Sequence, residues 1–381
     1  MVTAKTYLVK HVLVNSDTHR RKKKTEEHTI QRQSTQQNSQ GQAEIICLYY
    51  NHMSHMTRDM PEVPTIRLDG NSEEEIASEL RAACMNTGFF YLENHPISQA
   101  VIHEVMTASK EFFDLPLSEK QSLSDHIMSR GYTAMGEETL DPANQRVGDT
   151  KEGYYIGQDV SADSPLYNPA KLSGPNIWPG ENSCSTIKDY PKWKCIMQNY
   201  FSECSSLGFL LTQYIALALG LDKHYFDPYF SENPLAALRL LHYSREKSAP
   251  EEGIFACGAH SDYGMLTLLL TDESAGLEIK TLDGKWVPVS PRKGAFIVNL
   301  GDMLERWTNG MFMSTVHRVV GTGTADRYSI PFFYEPSFDT VVECLESCCD
   351  ENNPPKYRKT TSGKHLLEKY MQTHADFSPD E

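Results

Sequence analysis

Two imidazoles and one carboxylate carry the chemistry this sequence offers: His260-Ser-Asp262, and His317 in a later run. Two histidines with one carboxylate are the facial ligand set that holds Fe(II) on one side and leaves positions open for oxygen and a co-substrate. His260 and Asp262 are two residues apart, so on a strand both side chains leave the same face. His317 belongs to a separate segment, and a closed all-β fold is expected to bring it alongside. The pair alone proves little, because His374-Ala-Asp376 repeats it with no histidine after it. That second pair reads as two exposed polar residues and is expected to lie away from the site. Context separates the two. His260 and Asp262 lead into Met265-Leu-Thr-Leu-Leu-Leu-Thr271, an apolar run of strand length, and His317 sits in the β-rich run Met311 to Val320. Arg327 and Ser329 follow as a second same-face pair.

Several further stretches occur in a fixed order around these residues: Leu238-Arg-Leu-Leu-His-Tyr243, Val298-Asn-Leu-Gly-Asp-Met303, Trp307-Thr-Asn-Gly310, Val316-His-Arg-Val-Val320 and Arg327-Tyr-Ser-Ile-Pro-Phe-Phe333. In these motifs the chain resembles the 2-oxoglutarate- and Fe(II)-dependent dioxygenases of the isopenicillin-N-synthase-like group, over roughly residues 61 to 375. The resemblance implies His260, Asp262 and His317 as ligands of Fe(II), with 2-oxoglutarate as co-substrate and O2 as oxidant. It implies release of succinate and CO2 as a small-molecule metabolite is hydroxylated or otherwise oxidised, with ascorbate supporting activity. Arg327 is then the expected partner of the distal carboxylate, because a guanidinium grips a carboxylate through two parallel hydrogen bonds that lysine cannot reproduce. Ser329 adds a third donor, and Tyr243 matches a tyrosine that contacts the co-substrate. Where the family often carries asparagine two residues before that tyrosine, this chain has Leu241.

Composition bounds the alternatives. The formal charge is −15 over 381 residues, yet residues 1–60 hold nine Lys/Arg against five Asp/Glu, so the acidity lies in the rest of the chain. An acidic body argues against nucleic acid or an anionic membrane as the main partner. No apolar run reaches membrane-spanning length and no signal-peptide pattern opens the chain, so a cytoplasmic monomer is expected. Residues 1–60, with the basic run Arg20 to Lys24 and a glutamine-rich tract, read as a disordered extension. The basic run reads as a solvated charge cluster, with a nuclear address as its alternative. Cysteines 344, 348 and 349 cluster without a histidine partner and read as free thiols rather than a zinc site.

The elements that must position the site follow from pattern. A strand at 63–68 precedes a helix that Ser72 and Glu75 open as a capping box, with Ile76, Leu80 and Cys84 at helical spacing. A strand at 88–95 and a helix at 98–113 come next. His95, before a proline turn, is read as structural. Residues 125–190 read as loops and short strands, which the family resemblance implies help wall the substrate pocket, and Pro191 to Leu219 is a long helix closed by Gly220. From 235 onward strands are expected at 235–243, 264–271, 276–280, 285–289, 294–300, 311–320 and 327–335. The expected fold is mainly β with flanking helices (α+β), a distorted double-stranded β-helix or jelly roll behind an N-terminal helical and strand region. Its divisions are an extension (1–60), the N-terminal region (61–232), the β-helix core (233–340) and a C-terminal loop and helix (341–381). Other readings are an Fe(II) oxidase of the same fold that does not use 2-oxoglutarate, and a catalytically silent barrel that binds a small ligand. A zinc hydrolase fits less well, for want of a His-Glu-x-x-His pattern.

Overall fold

The computed structural model describes residues 62–125, 130–180 and 187–373. The extension expected to be disordered and the His374/Asp376 pair lie outside the described residues. The nine-stranded sheet is built, in chain order, from β1 (Thr65–Arg67), β2 (Phe89–Glu93), β3 (Ser124–Asp125), β4 (Arg130–Thr133), β5 (Lys151–Gly157), β6 (Pro234–Tyr243), β8 (Leu266–Thr271), β11 (Phe296–Leu300) and β13 (Arg327–Ser337), in the spatial order β1-β2-β11-β8-β13-β6-β5-β4-β3. A four-stranded sheet faces it, made of β7 (Cys257–His260), β9 (Leu277–Lys280), β10 (Trp286–Pro288) and β12 (His317–Val319), in the order β10-β9-β12-β7. This is a double-sheet jelly roll flanked by helices. The closed barrel expected to unite the histidines is not what forms: two open sheets face each other, and their facing surfaces do that work.

The helices are α1 (Glu73–Asn86), α2 (Gln99–Phe113), α3 (Leu117–Gln121), α4 (Tyr190–Ala218), α5 (Asp227–Phe230), α6 (Asp302–Trp307) and α7 (Ser362–Thr373). The capping box forms as read: Ser72 N–H donates to Glu75 Oε2 at 2.8 Å and Glu75 N–H to Ser72 Oγ at 3.3 Å. On α4, Asp189 caps the N-terminus, and Gly220, at φ +73°, turns the chain out past its end. Its fully buried face is Trp193, Met197, Tyr200, Cys204, Leu207, Leu211 and Ile215. The apolar stripe of this helix is broad, so Ile196, Leu210 and Leu217, which pattern also favoured, are only partly buried. Gly208 lets the helix close onto the sheet, since a Cβ there would stand 2.8 Å from the Tyr334 ring.

Strand alternation divides the large sheet into two chemistries. On its outer face Phe90, Leu268, Leu238, Ile330 and Phe332 pack with α1, α2 and α4 into the main core. On its inner face Phe89, Leu241, Tyr243 and Ile297 meet Cys257, Leu277, Ile279 and Val319 of the small sheet. One local expectation fails. Residues 311–316 are not strand, so β12 is short, because Met311 to Thr315 instead follow a helix, α6, that pattern did not reveal. Short apolar runs of this kind leave helix and strand periodicity indistinguishable.

Adjacent phenylalanines test this two-faced sheet. Phe332 is fully buried among the helices, whereas Phe333 points to the inner cavity. Phe332→Ala should lower unfolding free energy by about 3–5 kcal/mol in chemical denaturation. Phe333→Ala should cost clearly less, because it opens a cavity that already exists.

Candidate functional site

His260 ends β7 and His317 begins β12, and the two residues are directly opposite in the antiparallel pair. Their ring centroids stand 4.3 Å apart. Asp262 does not continue the strand as the spacing suggested. It sits just past the strand end, where its carbonyl accepts from Asp302 N–H at 2.8 Å. Gly301 permits this corner, because a Cβ would press on the carbonyls of Asp262 and Gly264. The three side chains nonetheless converge: one ligand atom from each lies within 4.8 Å of the others, and among the described residues this is the one His/Cys/Asp/Glu group able to hold a metal.

Hydrogen bonding decides which atoms face inward. Nδ1 of His260 donates to Gly258 O at 2.8 Å, and Nδ1 of His317 to Thr315 O at 3.1 Å. Both tautomers are thereby set with the Nε2 lone pair free. Those Nε2 atoms stand 3.8 and 3.6 Å from the same Asp262 Oδ1. The other oxygen, Oδ2, accepts from Thr267 Oγ at 2.5 Å and Asn299 Nδ2 at 2.6 Å. One carboxylate oxygen is thus fixed by protein donors and the other is left to a metal. Burial pushes the Asp262 carboxyl up, but the two imidazoles and these hydrogen bonds outweigh it and hold the carboxyl below its usual range. Burial and the neighbouring His260 bring His317 down to about 4, so it stands as neutral imidazole, the form that ligates metals.

A cavity runs from this trio along the inner face of β13 to Arg327. Arg327 and Ser329 are both buried, and Tyr243 is directly opposite Arg327 in the β6–β13 pair. The guanidinium carbon lies 4.7 Å from the centre of the Tyr243 ring, and Nη1 donates to Ser329 Oγ at 3.3 Å. Its Nε has no partner, and among the described residues no carboxylate pairs with this buried cation. Burying a charge without a counter-ion is costly, so the site fits a bound anion. Leu241 is opposite Ser329, where the family's asparagine would have been polar.

Several functional groups were not singled out from sequence. Thr267 and Asn299 interrupt the apolar runs of β8 and β11 on the same inner face, which was the available signal. Lys151 bridges Asp149 and Glu138, and Arg239 also pairs with Glu138, a buried charge network beside the trio that only topology assembles. A second, outer cavity opens past His260 and Asp262, lined by Arg130, Tyr155, Arg239, Phe333, Glu335 and Tyr370 among others. From the 125–190 region, Arg130, Glu138, Leu140, Tyr155 and Gln158 line this cavity. His95 is elsewhere, its Nε2 on Gly294 O at 3.0 Å and its ring against Phe296.

Comparison with known proteins agrees with this geometry. Residues 63–181 match the family described as non-haem dioxygenase in morphine synthesis, N-terminal, and residues 235–336 match the 2OG-Fe(II) oxygenase superfamily. The 2-oxoglutarate-Fe(II) type oxidoreductase hxnY of Emericella nidulans is 35% identical over 316 residues, covering 82% of this chain and 88% of its own. Kihadalactone A synthase LFS of Citrus sinensis is 37% identical over 338 residues, covering 86% and 98%. Among solved structures, a full-length Neurospora crassa protein in complex with alpha-KG and thymine superposes with a TM-score of 0.71 at 30% identity, covering 83% and 98%.

The shared role of Thr267 and Asn299 gives a test independent of turnover. Asn299→Ala should weaken affinity for a divalent cation about 10- to 100-fold in calorimetric titration, the usual cost of losing an outer partner of a ligand. His317→Ala should abolish measurable binding.

Proposed function

The chain belongs to the 2OG-Fe(II) oxygenase superfamily, and from that premise we propose how its residues divide the work. The protein is a 2-oxoglutarate-dependent dioxygenase that oxidises a small molecule. In our reading His260, Asp262 and His317 hold Fe(II), and Arg327 with Ser329 and Tyr243 seats the distal carboxylate of 2-oxoglutarate. When bound, Fe(II) supplies the redox chemistry by which O2 and 2-oxoglutarate are converted to succinate and CO2 while the substrate is oxidised. The chain's own residues bind, orient and shield. The observation that carries the assignment is Arg327: a buried guanidinium with no carboxylate partner among the described residues, in the same cavity as three convergent metal-type ligands.

Each neighbour has a defined part. Thr267 and Asn299 keep one Asp262 oxygen occupied, so the carboxylate meets the metal through the other. The backbone carbonyls of Gly258 and Thr315 keep both imidazoles facing inward. The Tyr243 ring packs against the guanidinium, 4.7 Å from its central carbon, and helps hold it in place. Phe89 and Leu241 exclude water along the wall between the two ends. The outer cavity, beyond the metal from Arg327, takes the substrate. Residues 61–232 serve as the N-terminal region and 233–340 as the catalytic core, and within the C-terminal segment 341–381 Leu366 and Tyr370 line the outer cavity. None of the described helices is long and apolar enough to cross a membrane. We place the enzyme in the cytoplasm as a monomer, with ascorbate supporting turnover.

Arg327→Lys keeps the charge and loses the fork. It should raise the KM for 2-oxoglutarate about tenfold to over a hundredfold, the equivalent of one charge-assisted contact, with Fe(II) affinity nearly unchanged. The assay is succinate release across a metabolite library with Fe(II), ascorbate and 2-oxoglutarate. An Arg327→Lys enzyme with unchanged 2-oxoglutarate dependence would remove the assignment.

A further inference from the structure

His260 and His317 are each aimed by a backbone carbonyl, and the two carbonyls are held by different parts of the chain. Thr315 keeps its place through its hydroxyl, which donates to Thr87 O at 2.7 Å. Gly258 has a less supported position. It lies in β7, which is the edge strand of the small sheet, so among the described strands one of its sides has no neighbour. On the other side the pairing with β12 slips. His260 is opposite His317 but Cys257 is opposite Val319, so β7 carries one extra residue across Gly258 and Ala259. Such a bulge re-aims a side chain at the expense of ladder hydrogen bonds. The ladder alone therefore does not fix the Gly258 peptide, whose carbonyl accepts from His260 Nδ1 at 2.8 Å.

Asp149 supplies what the ladder leaves out. Its side chain is fully buried, and its Oδ1 accepts the Gly258 N–H at 2.8 Å. The same oxygen accepts from Gln145 Nε2 at 2.8 Å, while Oδ2 pairs with Lys151. Lys151 is held in turn by Glu138 at 2.9 Å. The carboxylate is thus gripped at both oxygens, with one of them turned to Gly258. Gln145 is itself tied, its Oε1 accepting from Asp141 N–H at 2.7 Å. That oxygen covers Gly258 so closely that a Cβ there would stand 2.1 Å from it. Only glycine leaves room for this contact.

From this geometry we infer that Asp149, steadied by Gln145 and Lys151, is a positioning residue for His260. It fixes the Gly258 peptide, and the carbonyl of that peptide orients the imidazole toward the metal position. The inference rests on the reading of His260, Asp262 and His317 as the metal ligands. It does not depend on a charge state. A carbonyl only accepts, so Nδ1 donates whether the ring is neutral or protonated, and the Gly258 N–H needs no more than an acceptor oxygen. The segment that lends Glu138 and Leu140 to the outer cavity is thereby also the one that sets a ligand of the metal. The wall of the substrate cavity and the metal site are built as one unit.

The test uses full-length enzyme loaded with Co(II), whose unpaired electrons move the ring N–H protons of bound imidazoles clear of the crowded NMR spectrum. Two exchangeable signals are expected, one from each histidine. Thr315→Val removes only the hydroxyl that anchors the His317 carbonyl, and identifies that signal by moving it alone. Asp149→Leu should shift or broaden the His260 signal and leave that of His317 in place. It should also weaken Co(II) binding about three- to tenfold, the worth of one hydrogen bond. Asp149→Asn keeps an acceptor oxygen for Gly258 and should restore both the signal and the affinity. Melting temperatures check the fold, and if either Asp149 variant is unfolded Gln145→Ala decides, by moving the His260 signal alone. A His260 signal that stays put in the deciding variant, or two signals that move together, would overturn the inference. So would Asn and Leu variants that behave alike, since Asp149 would then serve only as a charge for Lys151. Failure of the unaltered enzyme to bind Co(II) would sink the reading of the metal ligands, and this inference with it.

Discussion

Asp262 is a carboxylate taken out of water between two sheets, and the arrangement of the site follows from how that charge is accommodated. Leaving it unpaired there would cost far more than a hydrogen bond is worth. The structure answers with two donors from the large sheet, Thr267 and Asn299, on one oxygen and two imidazoles from the small sheet facing the other. The half-satisfied oxygen is what a divalent cation completes. Because donors and imidazoles come from opposite sheets, the packing between the sheets would fix the position of a metal held there, and the apolar contacts of Phe89, Ile279 and Val319 around it serve geometry as much as stability.

The same inner face extends the logic outward in both directions along β13. Toward its start, the buried guanidinium of Arg327 has no carboxylate partner among the described residues; toward its end, the buried carboxyl of Glu335 has no cationic partner among them. The outer face of the same strand, with Ile330, Phe332 and Tyr334, is ordinary core against α4 and α5. One strand therefore carries stability on one face and recognition on the other.

How much of this was legible in the sequence depends on whether a residue's role is local. The capping box at Ser72, the end of α4 at Gly220 and the strands β6, β8 and β13 follow from spacing within one segment. The trio and Arg327 were legible because their motifs recur in a fixed order. Other features depend on which strands become neighbours, which a single sequence does not encode locally. The direct pairing of His260 with His317, the departure of Asp262 from its strand at the Gly301 corner, and the Lys151–Glu138–Arg239 network are of this kind. Glu335 had no signal at all, since an acidic residue in the run Phe333-Tyr-Glu-Pro336 reads as a strand's polar end. The helix at Asp302–Trp307 was missed because its first turn directly continues β11 through Gly301, without a separating loop.

The most direct test of the central claim is an anaerobic crystal structure of the enzyme with Fe(II) and 2-oxoglutarate bound. The predicted result is one metal coordinated by His260 Nε2, His317 Nε2 and a single oxygen of Asp262, with Oδ2 still held by Thr267 and Asn299. The distal carboxylate of 2-oxoglutarate should be forked on Arg327 and touch Ser329. A metal bound away from this trio, or a distal carboxylate resting on Lys151 or Arg239 instead, would contradict it.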